Sequence, residues 1–110
     1  MQATTPTPPT ISVVICAYTE ERLELLAQGI ESLRAQTVAP HELVLVIDHA
    51  PALEATCRER WPEATVVPNR EQQGLSGARN TGVAECSGEV VAFLDDDAAA
   101  APNWIERLGA

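Results

Sequence analysis

Short apolar runs alternate along this chain with longer segments whose apolar residues recur every three or four positions. Ile11-Ser12-Val13-Val14-Ile15-Cys16-Ala17 is rich in β-branched residues and too short for a helix of its own, which predicts a first strand. Tyr18-Thr19 is the turn after it. Thr19 is suited to cap the next helix, Glu20 and Glu21 suit its positive end, and Leu23, Leu26, Ile30 and Leu33 form one apolar stripe. A second strand follows over Glu42-Leu43-Val44-Leu45-Val46-Ile47-Asp48, apolar throughout and ending in an acid.

Pro51 is well placed to open a second helix carrying Leu53, Cys57 and Trp61 at a spacing of four, and Pro62 stops it. Ala64 to Val67 reads as a short third strand, and Asn69 to Gly74 as a polar loop. Leu75 to Ser87 predicts a third helix with Leu75, Ala78, Gly82, Val83 and Cys86 inward and Gly88 as its stop. Its small residues, Gly77, Ala78 and Gly82, let it lie close to the sheet. Val90-Val91-Ala92-Phe93-Leu94 is an unbroken apolar run, the pattern of a strand buried on both faces, and a fourth helix begins over Pro102 to Leu108. Met1 to Thr10, dominated by Thr and Pro, reads as a flexible leader.

Strand and helix therefore alternate four times. That order predicts a three-layer α/β/α domain over residues 11–110 with a mainly parallel sheet. If the strands lie in the order three, two, one, four, the winding reverses between strands one and four, and a crevice opens there at the carboxyl edge. Tyr18 to Glu20, Asp48 and Asp95-Asp96-Asp97 all converge on that crevice.

Composition narrows the partners. The 110 residues leave room for one domain. Seven Arg and no Lys stand against sixteen Asp and Glu, a net charge of −9, which argues against general binding to nucleic acid or to an anionic membrane surface. No apolar run approaches the length of a membrane span. Cys16, Cys57 and Cys86 form no Cys-x-x-Cys pair and sit in apolar patterns, so they read as reduced core residues of a cytosolic protein; His41 and His49 read as loop residues.

Three adjacent carboxylates repel one another, and a divalent cation such as Mg2+ or Mn2+ would compensate them; the alternative is a solvated acidic turn. A nucleotide diphosphate is a ligand for which such a cation matters, because this acidic chain has little positive charge of its own to offer. Tyr18 offers a stacking surface for a base and Asp48 an acceptor for a base edge or ribose. Asp97 is the candidate metal ligand, with Asp95 directed to the other side of an extended segment toward the ribose. Arg79 and the amides around Gly74 to Gly77 are candidates to face phosphates. Each has an alternative: Tyr18 as a rim residue, Asp48 as a cap of the next helix, Arg79 paired with Glu85 or Asp48.

The run Ser12 to Tyr18, Gln36, Asp48, Gly74-Leu75-Ser76-Gly77-Ala78-Arg79-Asn80-Thr81-Gly82, Gly88 to Asp97 and Pro102-Asn103-Trp104 together resemble the amino-terminal half of family 2 glycosyltransferases of the GT-A fold. The resemblance runs from about Ile11 to the end. It implies a nucleotide-diphosphate sugar (UDP- or GDP-sugar) as donor and a saccharide or lipid-linked acceptor. Inversion at the anomeric carbon is implied too, with a place in the cytoplasm or peripherally at the inner membrane face. Tyr18, Glu20, Asp48, Gly74, Arg79, Asn80, Asp95 and Asp96 would contact the nucleotide sugar, and Asp97 would hold Mg2+ or Mn2+. Cys16-Ala17-Tyr18-Thr19 departs from the family's Pro-x-Tyr-Asn, and Asp48-His49-Ala50-Pro51 from its Asp-Asp-Gly-Ser. The family's acceptor site and general base come from later sequence, so a donor-binding fragment with little turnover is expected.

Three other readings compare less well or differ in kind. A sugar nucleotidyltransferase needs a glycine-rich, basic loop after strand one, and a phosphate-receiving signalling domain a lysine; neither is present. A non-catalytic nucleotide-binding or interaction module is the remaining alternative.

Overall fold

In a computed structural model, which describes residues 7–110, β1 (Ile11–Ala17), β2 (Glu42–Ile47), β3 (Thr65–Pro68) and β4 (Val90–Phe93) form one parallel sheet in the order β3-β2-β1-β4. This is the predicted order. Residues 1–6 of the expected leader lie outside the described residues. Thr10, at its other end, is tied to the sheet: Val90 N–H donates to its carbonyl at 3.0 Å and Glu89 N–H to its hydroxyl at 3.0 Å.

Side chains of β1 alternate between two layers, as a strand period of two requires. Ile11, Val13, Ile15 and Ala17 pack with Leu26, Ile30 and Leu33 of α1 (Leu23–Arg34) and with Leu53 and Cys57 of α2 (Pro51–Arg60). Val14 faces the opposite layer with Val44, Val46, Val67 and Ala78 of α3 (Leu75–Glu85). Burying each such aliphatic side chain stabilises the fold by about 1.5–3 kcal/mol relative to exposure, so the α1/α2 layer, with more and larger members, carries most of the core.

Three expectations need correction. Leu75 and Val83 do not face inward; they are 55% and 47% exposed, and the buried face of α3 is Ala78, Thr81 and Gly82. A Cβ on Gly82 would stand 2.5 Å from Val14 Cγ1, so the helix sits too close to the sheet for large side chains. Val83 follows one residue on, a rotation of about 100° that carries it to the outer face. Nor is β4 buried on both faces. Phe93 is 40% exposed and Val90 and Val91 are half-buried, because among the described residues β4 pairs with β1 alone. Finally, α4 (Trp104–Leu108) begins two residues later than Pro102, after a turn in which Trp104 N–H donates to the Ala101 carbonyl. Ile105 still reaches the main core.

Candidate functional site

The carboxyl end of β1 outruns β4. Pairing between them stops at Val14 opposite Phe93, with Leu94 N–H donating to the Val14 carbonyl at 3.0 Å, whereas pairing with β2 continues to Ala17 opposite Ile47. The sheet thus parts beside Cys16 and Ala17, and a cleft of about 490 Å³ opens there. It lies at the predicted place, where the winding of the sheet reverses.

Seven of the nine predicted site residues line it: Tyr18, Asp48, Gly74, Arg79, Asp95, Asp96 and Asp97. Glu20 and Asn80 do not. Glu20 opens a short 3-10 turn, Glu20–Arg22, and points to solvent, while Asn80 is exposed on α3 with its amide 3.4 Å from Glu71 Oε1. Thr19 caps that turn by accepting from Glu21 N–H, as the sequence suggests.

Tyr18 is 54% exposed at the end of β1, so its ring offers an open face to the cleft. Asp48 does not cap α2, whose first residue follows Ala50 without a side-chain cap. Its two oxygens are used elsewhere: Oδ1 accepts from Asn69 Nδ2 at 2.9 Å and Oδ2 from Gly74 N–H at 3.0 Å. The Gly74 amide, a predicted phosphate donor, is therefore committed to Asp48. Gly74 has φ of +136°, a conformation that favours glycine, and this lets the loop turn back on β2 before α3 begins. Asn69 is the hub of that loop, accepting from Glu71 N–H and Thr81 Oγ1 while donating to Asp48.

Arg79 pairs with neither Glu85 nor Asp48. Its guanidinium lies over the Phe93 ring, 5.4 Å from the centroid, and Glu85 pairs with Arg70 instead. Cys16, expected in the core, lies on the cleft wall. Burial pushes its thiol up to about 11 against the lowering influence of Arg79, further toward the protonated form.

The acid run is a turn and not an extended segment, closed by Ala98 N–H donating to the Asp95 carbonyl at 3.1 Å. Asp95 and Asp97 are both exposed at the cleft, while Asp96 is turned inward at 7% exposure. Arg22 Nη1 donates to Asp96 Oδ1 at 3.2 Å, and the same guanidinium lies 5.5 Å from the centre of the Tyr18 ring. Sequence reasoning missed Arg22 because the contact crosses 74 residues; its only signal was an arginine one position before an apolar stripe.

The loop after the acids is fixed to α1. Ser32 Oγ accepts from Ala100 N–H, while Gln36 donates to the Ala101 carbonyl at 2.7 Å and accepts from Ile105 N–H at 2.9 Å. Among the described residues no three His, Cys, Asp or Glu side chains converge as a metal cage. The donors at the cleft are instead the exposed carboxylates of Asp95 and Asp97. Mg2+ and Mn2+ accept one or two such hard oxygens and complete their shell with water and phosphate. The residues fit a cation shared with a diphosphate.

The parallel sheet has the order β3-β2-β1-β4 with acids at its carboxyl edge, and the solved structures on which the chain superposes make it a GT-A-type α/β domain. The chain belongs to glycosyl transferase family 2, whose description it matches over residues 12–109. It is 40% identical over 101 residues to the glucosyl-dolichyl phosphate glucuronosyltransferase of Haloferax volcanii, covering 89% of this chain and 32% of that protein. The amylovoran biosynthesis glycosyltransferase AmsE of Erwinia amylovora is 37% identical, covering 87% and 38%. The chain thus spans about a third of the length of these relatives. Among solved structures, the mannosyltransferase PcManGT from Pyrobaculum calidifontis, in complex with GDP-Man and Mn2+, superposes with a TM-score of 0.67 at 24% identity, covering 87% of this chain and 30% of that one. TarS 1-349 of S. aureus in complex with UDP gives 0.72 at 19%, covering 90% and 30%. At those identities the likeness concerns the fold.

Proposed function

We propose that this chain binds the donor for a glycosyltransferase reaction that uses a nucleotide-diphosphate sugar, UDP- or GDP-linked, together with Mg2+ or Mn2+. The observation that carries the reading is the meeting of Tyr18, Asp48, Arg79, Asp95 and Asp97 in one cleft. The GDP-Man and Mn2+ of PcManGT and the UDP of TarS support it. The name of the Haloferax relative supports a lipid-linked acceptor. No helix of the described residues is long and apolar enough to cross a membrane.

In this reading Tyr18 stacks on the base, and Asp48, by holding the Gly74 loop against β2, shapes the pocket for it. Asp95 accepts from the ribose, Asp97 holds the cation, and Arg79 leaves Phe93 for the phosphates. Glu20 and Asn80 stay at the periphery. A bound divalent cation supplies the positive charge that offsets the diphosphate as it leaves. The acceptor hydroxyl attacks the anomeric carbon with inversion as the bond to the diphosphate breaks. Its proton passes to a general base.

The test is titration of UDP and GDP with and without Mn2+. Metal-dependent affinity that disappears in Asp97→Ala and survives in Ala99→Ser is expected; equal binding by both variants counts against the site.

A further inference from the structure

The middle acid of the run is the least explained charge in the cleft. Asp96 is 7% exposed; among the described residues its buried Oδ2 has no hydrogen-bond partner and its Oδ1 is held by Arg22 alone. A buried carboxylate with one partner depends heavily on that partner. Arg22 itself sits at the junction of the Glu20–Arg22 turn and α1, lines the cleft, and lies over the Tyr18 ring. Most other arginines are occupied elsewhere, Arg34 with Glu63, Arg58 with Glu54 and Arg70 with Glu85. Among the described residues, Arg22 and Arg79 are the arginines that line the cleft.

We propose that Arg22 is a positioning residue that couples the two ends of the donor site, drawing Asp96 inward so that Asp95 and Asp97 face the cleft, and bracing the Tyr18 ring with the same guanidinium. The inference rests on the donor-site reading above. All three acids of the turn line the cleft, but Asp96, the one paired with Arg22, is buried while Asp95 and Asp97 are exposed. Neutralising Asp96 also removes one of the negative charges that crowd the position of the cation. The cation-π contact, at 5.5 Å, orients the tyrosine face. Arg22 thus serves the metal end through Asp96 and the base end through Tyr18, touching neither cation nor sugar.

The experiment measures UDP and GDP affinity, with Mn2+ and with chelator, for the wild-type chain, Arg22→Ala, Arg22→Lys and the distant control Arg107→Ala. Arg22→Ala is expected to lose at least about tenfold in Mn2+-dependent affinity, with a smaller loss in chelator. Arg22→Lys keeps a positive charge beside Asp96, but its single ammonium is a point donor that cannot span Asp96 and the Tyr18 ring at once as the guanidinium does. It is expected to recover the Mn2+-dependent ratio and not the chelator affinity, a split that general destabilisation does not produce. Wild-type affinity in Arg22→Ala under both conditions overturns the inference while leaving the donor site standing. An absence of Mn2+-dependent binding in the wild-type chain removes the donor-site reading and the inference with it. If Arg22→Ala does not fold, Arg22→Met, which keeps the stem but neither donates to Asp96 nor carries charge, makes the same comparison, and wild-type affinity in it is again the overturning result.

Discussion

The carbonyl oxygen of Ala98 occupies the space that a side chain on Gly29 would fill, 2.6 Å from where its Cβ would stand. The loop that follows Asp97 rests directly on the backbone of α1 at this point. The obstacle is backbone, which cannot rotate away. Gly29→Ala gains up to about 1 kcal/mol of helix propensity but forces the loop outward, and overpacking of this kind costs about 1–3 kcal/mol. The expected outcome is a lower urea midpoint together with weaker Mn2+-dependent nucleotide binding. Unchanged binding in the folded variant would mean that the acid turn is not set by this contact.

Gln36 ties the same loop from the other side. Its amide spans Ser32, Ala101 and Ile105. Gln36→Leu keeps the side-chain bulk and leaves the Ile105 N–H and the Ala101 carbonyl without that partner, a loss of about 1–3 kcal/mol. Hydrogen exchange at the Ile105 amide should accelerate before that of the β1 amides; equal acceleration of both would point to global loss of stability instead.

Asp48 and Asp97 should separate in their dependence on metal. Asp48→Ala releases Asn69 and the Gly74 amide, so the loop that shapes the base end loses both anchors. A fall of at least about tenfold in nucleotide affinity is expected with Mn2+ and equally in chelator. Asp97→Ala should act only when metal is present. Calorimetric titration of the two variants side by side distinguishes them.

At the opposite edge of the sheet, Glu42 Oε2 accepts from Ser12 Oγ at 2.6 Å and from Ser87 N–H at 2.6 Å. These bonds hold its carboxyl below the ordinary value of 4.5, with the Ser12 hydroxyl the largest cause. A carboxyl depressed in the folded state contributes stability above its unfolded value and loses that contribution as pH falls through the folded value, because the unfolded chain then binds the proton first. Glu42→Gln should therefore melt below the wild-type chain at neutral pH. The gap should close as pH drops under 4.5, read from thermal melts between about pH 7 and about pH 3. Parallel curves across that range would remove Glu42 as the source.

The sequence by itself determined the order of the elements and, given strands in the order 3-2-1-4, the edge at which the acids and Tyr18 meet. Apolar periodicity and turn residues are local signals, and the winding of an alternating α/β chain leaves few topologies. Asp48, Arg79 and Asp97 were legible because each sits at the end of a strand or the start of a helix that the pattern already places. Tertiary packing decided what those side chains do. Arg22 met Asp96, Asn69 met Asp48, and Phe93 met Arg79 across separations that no periodicity encodes. The closeness of α3 to the sheet likewise turned Leu75 and Val83 outward, because Gly82 against Val14 sets a distance that only the packed structure contains. Faces and ends follow from short-range chemistry, whereas partners follow from the three-dimensional meeting of segments far apart in the chain.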